Sequence, residues 1–309
     1  MARTTTVRIS AATMADKRPP KRHLAPYLLL LPAIAVLILA MGYPVIWQLW
    51  ASFMHYGLAA QFGAPPDFVG LENYTKALTD PVVWGVIARS LTFCLVNAIL
   101  TMIIGVALAL LMAAVNKAVR LILQIAMLLA WAMPVVAAVT VWSWLFDWRR
   151  GIINYILTSL GLNFTNHVWL GTALGLYFVA TIIIVWMSVP FVAFSVYAGL
   201  TQISEEVMEA AQLDGAGPVR RFTTIIVPMV RPVLMIVALL QVIWDLRVFT
   251  QLKLLQDQSK PLNSDLFGTY IYAVGAGDFS RSATLSIIVL AITVVFSSAY
   301  VRQLLKEDS

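Results

Sequence analysis

The chain has 309 residues, of which 61% are hydrophobic and 12% charged, with a formal net charge of +6. Soluble domains are about 25% charged, so half that share on a mean hydropathy of +0.85 cannot cover a water-facing surface. This composition excludes an ordinary cytosolic enzyme, a disordered chain and a coiled coil, and the lone Cys94 excludes a disulfide framework or a Cys-based metal site.

An integral membrane protein remains. A spanning helix needs about 20 mostly apolar residues, and the sequence predicts six such spans. They run over 24–53, 84–115 (free of charge from Leu91), 121–146, 170–200, 232–254 and 282–301. The fifth is interrupted by Asp245, Arg247 and Lys253. Backbone groups in lipid must be satisfied within the segment, and no barrel-like alternation is present, so the fold class is all-α and polytopic.

Ahead of the first span, the tail 1–23 carries Arg3, Arg8, Lys17, Arg18, Lys21 and Arg22. With Lys117, Arg120, Arg220, Arg221, Arg231, Arg302 and Lys306, thirteen of the 21 basic residues fall on one side of a six-span chain. This bias places both termini, including the short end 305–309, in the cytoplasm. The run from Leu24 is too long for a secretory h-region and no small-x-small cleavage site follows, so it reads as a retained signal-anchor. No loop joins a basic cluster to interleaved aromatics, so nucleic acid is not an expected partner.

Three outer segments, Met54 to Val83, Asp147 to Trp169 and Leu255 to Arg281, exceed the usual connection length. They fit either simple connectors or a docking surface for an outside partner. The loop from Thr201 to Arg231 has more structure. Ser204 suits an N-cap, with Glu205 and Glu206 in the first turn. Val207, Ala210 and Ala211 form a narrow apolar stripe, and Asp214-Gly215 ends the helix. Pro218 opens a second short helix carrying Arg220, Arg221 and Phe222, and Pro228 and Pro232 mark a bend into the fifth span. A stripe of alanine fits either a helix lying on the membrane surface or a knob that a partner's backbone approaches closely.

The spacing Glu209-Ala210-Ala211, Asp214-Gly215-Ala216, Phe222, Ile225, Pro228, Pro232 resembles the cytoplasmic loop of permease subunits of binding-protein-dependent ABC importers. The resemblance extends from about Leu24 to Arg302 and is nearest the carbohydrate branch, the maltose and glycerol-phosphate permeases. Phe68-Val-Gly-Leu-Glu-Asn-Tyr74 and the stretch from Gly151-Ile-Ile-Asn154 through Gly161-Leu162 resemble that branch's first two outer loops. Trp244-Asp-Leu-Arg-Val-Phe249 matches its aromatic-polar helix, but Asp257-Gln-Ser-Lys-Pro261 replaces its Gly-Gly-Pro turn. Overall similarity is to the first permease subunit of mycobacterial-type trehalose importers.

The resemblance implies a multi-pass protein of a bacterial plasma membrane that pairs with a second permease subunit. Two ATPase subunits would dock on the cytoplasmic loops, and an extracytoplasmic sugar-binding (lipo)protein on the outer ones. Glu209, Ala210, Ala211, Asp214, Gly215 and Ala216 would make the ATPase contact. The chain has no Gly-x-x-x-x-Gly-Lys-Ser/Thr loop, so ATP and magnesium belong to the partner subunits. The chain itself is then a transport subunit without a cofactor and not an enzyme.

A charge in mid-bilayer tends to face a cavity or a partner. Asp245 and Arg247, two residues apart on one helix, would point about 200° from one another. They fit either sugar-hydroxyl recognition, with Trp244 as a stacking platform and Gln251 nearby, or an ion pair with the second permease. Asn97 and Gln241 are expected to hydrogen-bond between helices, and Arg89 to snorkel to the interface. Trp47, Trp50, Trp84, Trp148 and Trp169 read as an interfacial belt, with Pro134 and Pro190 as kinks. The second class of function is an ion-coupled secondary transporter, which would need coupling carboxylates and usually an internal repeat. Asp245 is the one acid inside a span, and no repeat of the spans is evident.

Overall fold

The expected helices are present, and three of them are shaped by proline. The computed structural model describes residues 25–56 and 58–307. The basic tail 1–23 lies outside them, as do residues 308–309 of the C-terminal end. The chain divides into two units between Trp47 and Gln48. In the first, α1 (Ala25–Leu37) passes through one π turn, Ile38–Gly42, into α2 (Tyr43–Ser52). From Leu29 to Trp47 the described residues are exposed apart from the half-buried Gly42, as in a helix whose apolar surface faces lipid all round.

In the second unit, β1 (Met54–His55) and β2 (Asp67–Phe68) pair antiparallel on either side of the short α3 (Leu58–Gln61). The Asn73 amide of α4 (Glu72–Thr79) ties this hairpin down, donating to the Ser52 and Met54 carbonyls at 2.9 and 2.8 Å. The long α5 (Pro81–Ala114) begins earlier than expected because Asp80 accepts from the Val82 N–H at 2.8 Å and Pro81 occupies the first helical position.

The third expected span is broken. α6 (Lys117–Ala132) and α7 (Val135–Leu145) meet at 103°, so among the described residues five helices are long and apolar enough to cross a membrane, or six if this bent pair counts as one span. Met133 and Pro134 have ψ of 129° and 139°. Proline removes the N–H that would continue the ladder and pushes the residue before it out of the helical region. The expected kink at Pro134 is therefore an elbow.

After α8 (Ile152–Ser159), α9 (Ala173–Leu200) packs along α5. The helices approach so closely that a Cβ on Gly105 would lie 2.5 Å from Val192. Ala109, Val192 and Ala193 are fully buried there, the small-residue packing that lets helices associate in lipid. At the other end of α9, Leu176, Val179, Ala180 and Ile183 form the largest apolar cluster with Phe93, Phe146, Leu252 and Leu255.

The loop after α9 holds α10 (Glu205–Leu213) and α11 (Pro218–Arg221), and the chain then runs through a π turn, Phe222–Ile226, into α12 (Val227–Leu246). The helix is unbroken at Pro228 and Pro232. Both π turns end two residues before a proline, Gly42 before Pro44 and Ile226 before Pro228. Each absorbs the missing N–H by widening one turn instead of ending the helix. α12 then stops at Leu246, short of the expected Leu254, and α13 (Thr250–Gln256), α14 (Phe267–Gly275) and α15 (Phe279–Glu307) complete the chain.

Candidate functional site

The 201–231 loop carries the first candidate site. Ser204 sits at the N-cap position with extended backbone, although its hydroxyl makes no cap bond. At the other end of α10, the Ala216 N–H reaches the Ala211 carbonyl at 2.9 Å and the Gly215 N–H reaches that of Gln212 at 3.0 Å. This paired closure requires a left-handed residue at Gly215, where φ is +74°. A Cβ there would meet nothing within 4 Å, so backbone conformation and not crowding within the chain selects glycine.

The apolar stripe is resolved differently from the sequence reading. Only Ala211 turns inward, while Val207 and Ala210 are exposed. Met208, Glu209 and Gln212 of α10 border an open cavity of about 540 Å³, which Arg120, Tyr197 and Leu200 also line. Arg120 donates to the Met112 carbonyl at 2.7 Å and that of Val115 at 3.1 Å, closing the end of α5, and it lies over the Tyr197 ring. Around Gly215 the outward corner shows Leu213, 89% exposed, and Val219, 77% exposed. The sequence reading missed both, although a leucine directly before Asp-Gly, where the helix must end, was the available signal.

The four residues expected along the pore separate. Asp245 is buried and accepts from the Gln241 amide at 3.0 Å. Trp244 points elsewhere, edge-on to Phe191 at 4.9 Å between ring centroids, with its indole partly exposed. Arg247 is the exposed residue that ends α12, so it shares no helical register with Asp245, and Gln251 lies past the break in α13. Phe191 was not anticipated, because its position beside Trp244 is a tertiary fact. Asn97 and Gln241 do not bond to each other. The Asn97 amide donates to the Phe93 carbonyl at 2.7 Å, so each finds a partner four residues away on its own helix.

At the opposite end, polar side chains hold the loops. Arg281 meets Asp80 at 2.6 Å and the Tyr270 hydroxyl at 3.0 Å. The segment replacing the Gly-Gly-Pro turn is fastened by the Gln256 amide, which donates to the Ser264 carbonyl at 3.0 Å and to Asp265 at 3.2 Å. Lys260 pairs with Asp265 at 3.2 Å, and Lys253 pairs with Asp257. Arg89 donates to the Asp265 carbonyl at 3.4 Å. Trp169 is half-buried against Phe146, Phe164 and Phe178, and its indole donates to Asn154 at 2.7 Å. On the exposed Glu72, the Lys76 ammonium at 2.6 Å holds the carboxyl below its ordinary range.

With this geometry in view, residues 105–305 match the family described as binding-protein-dependent transport system inner membrane component. A diacetylchitobiose uptake system permease protein of Streptomyces coelicolor is 38% identical over 92% of this chain and 88% of its own length. A trehalose/maltose transport system permease protein of Thermococcus litoralis is 30% identical, covering 89% of this chain and 92% of that protein. A trehalose transport system permease protein of Mycobacterium tuberculosis is 27% identical over 92% and 90%. Among solved structures, a chain of a bacterial alginate ABC transporter in complex with a pentasaccharide-bound periplasmic protein superposes with a TM-score of 0.78. That match is 19% identical and covers 91% of this chain and 93% of the other.

Proposed function

Since the chain belongs to the binding-protein-dependent transport system inner membrane component family, we propose that it is one pore-forming permease subunit of an ATP-driven importer of disaccharides. The observation that carries this reading is 38% identity along almost the whole length to a permease of a diacetylchitobiose uptake system. That relative makes diacetylchitobiose the first substrate to test, ahead of the trehalose to which the sequence pointed. Trehalose stands second, on the relatives of 30% and 27% identity. This reading is preferred to an ion-coupled secondary transporter, because these three relatives are named as permease proteins of uptake or transport systems.

In this proposal a second, related permease completes the pore, and ATP and magnesium are bound by partner ATPase subunits. Their docking point is the corner of the 201–231 loop, where Glu209, Ala210, Asp214 and Gly215 stand exposed beside Leu213 and Val219. Ala211 and Ala216 back it from beneath, buried and half-buried respectively. Bare apolar side chains on a rigid, tightly closed helix end are what a groove on a partner can grip. α10 and the helical run into α12 would transmit the partners' closure to the membrane helices. The loop then faces the cytoplasm, as do both termini, and the loops held by Arg281 and Gln256 face the extracytoplasmic binding protein. Trp244, backed by Phe191 and partly open, is the stacking face offered to a sugar ring.

Purifying the tagged chain from a bacterial membrane tests the assembly: an ATPase and a second multi-span permease are expected to accompany it. Uptake of labelled diacetylchitobiose and trehalose into vesicles holding that complex then decides the substrate. A chain that purifies alone and drives uptake from an ion gradient overturns the reading.

A further inference from the structure

The segment between α7 and α9 forms an open cleft that the proposed function does not use. It lies at the end of α9 away from the 201–231 loop and has a volume of about 490 Å³. Its walls carry three aromatic rings, Trp144, Trp148 and Tyr155, and two adjacent cations, Arg149 and Arg150. Asn154 fixes the shape from beneath: buried, it donates to the His167 carbonyl at 2.9 Å and accepts from the Trp169 indole at 2.7 Å.

The two exposed arginines have no counter-charge. No ion pair involving either occurs among the described residues. Asp147, the acid beside them in sequence, uses Oδ1 to accept from their backbone N–H groups at 3.0 and 2.7 Å. The Arg149 guanidinium lies over the Trp148 ring, 4.2 Å from its centroid, a contact that steadies the cation without neutralising it.

Beside the cleft the surface is apolar. α8 packs Ile153 against the core and leaves Ile152, Tyr155 and Ile156 exposed at i, i+3 and i+4, with Leu160 bare beyond its end. Along α7, Val136 and Val141 are likewise exposed ahead of Trp144. Aliphatic side chains, then rings, then arginines follow the order of chemistries met on leaving a bilayer: hydrocarbon, interface, phosphate.

We propose that this cleft binds the headgroup of an anionic phospholipid such as phosphatidylglycerol, with Arg149 and Arg150 on the phosphate and the bare stripe of α8 lying in the membrane surface. The combination of charge and apolar surface names the occupant. A neutral sugar would use the rings but not two unpaired cations. An acidic protein surface would meet the cations but offer no hydrocarbon to Ile156 and Leu160. Arginine is suited to the role because its planar fork of donors matches phosphate oxygens. The proposal does not depend on which solute is carried.

The test uses the assembled complex, with lipid binding read by native mass spectrometry during titration with phosphatidylglycerol or phosphatidylcholine. Phosphatidylglycerol should bind at least about tenfold more tightly at one site, and Arg149→Gln with Arg150→Gln should remove that preference. The same two positions changed to lysine should keep most of it. The thermal midpoint without added lipid should be unchanged in both, since the side chains are exposed. In vesicles of phosphatidylcholine with phosphatidylglycerol, a fluorophore on Thr158→Cys should be quenched by a headgroup nitroxide; the native Cys94 is buried and does not compete for the label. These readouts involve no transport assay, so their failure is distinct from failure of the sugar reading. The proposal is overturned by equal binding of the two lipids, by an unquenched label, or by displacement of the lipid by millimolar inorganic phosphate, which would make the cleft a free-anion site. It is equally overturned if the glutamine variant keeps its lipid and instead loses affinity for the extracytoplasmic binding protein.

Discussion

Arg281 and Asp80 meet at 2.6 Å and join the first turn of α15 to the N-cap of α5, across 201 positions of sequence. Asp80 has two duties there: it accepts from Arg281 with one carboxylate oxygen and from the Val82 N–H with the other. Its loss therefore removes a cap as well as an ion pair. Asp80→Ala should destabilise the purified complex by about 1–2 kcal/mol, chiefly through the cap. Arg281→Ala should cost about 0.5–1 kcal/mol, since the pair is partly exposed. Thermal unfolding of both single variants and the double checks this, and equal losses in the two singles would refute the double role.

Leu213 and Val219 are the most exposed apolar residues of the 201–231 loop. If they grip the ATPase, Leu213→Glu should cut uptake roughly tenfold or more, as expected when a buried interface anchor is removed. Folding should be unaffected, because within the chain the side chain is 89% exposed. Comparing ATPase retention on the purified permease pair with its thermal midpoint separates the two. Retained ATPase with full uptake would remove this corner from the contact.

Gly215 should respond to backbone strain before size. With φ at +74° and open space where a Cβ would stand, Gly215→Ala should cost about 1–2 kcal/mol of local stability. Gly215→Asn, which tolerates the left-handed region better, should cost less. Hydrogen exchange of the Ala216 and Gly215 amides would report the order, and equal protection in both variants would contradict it.

Gly105 is the opposite case, a glycine chosen by packing. Its α5 site faces Val192 with no room for a methyl group. Gly105→Ala should lower stability by about 1–3 kcal/mol through overpacking, and Val192→Ala in the same chain should return part of it. A melting-temperature series of the two singles and the double provides the check.

Most spans were legible because an apolar run of sufficient length has few alternatives in lipid. The 24–53, 84–115, 170–200 and 282–301 predictions fall within two or three residues of helix starts or ends in most cases. Their residual errors sit at caps such as Asp80, or where the last helix continues to Glu307. Prolines were harder to read. Pro134 produced a 103° elbow, whereas the helix runs on unbroken through Pro228 and Pro232. The difference is whether a neighbouring π turn absorbs the missing donor, which residue identity alone does not disclose.

By itself the sequence determined the membrane class, the number and placement of apolar runs and the loop motif that resembles the importer permeases. These follow from composition and from residue spacing along one helix or turn, which are local quantities. Only the tertiary structure decided which of those residues share a site. It turned Asp245 inward to Gln241 and Trp244 outward to Phe191, ended α12 before Arg247 could share their helix, and left Leu213 and Val219 bare. Side-chain direction depends on where a helix stops and what packs against it, and those are set by contacts between segments far apart in the chain.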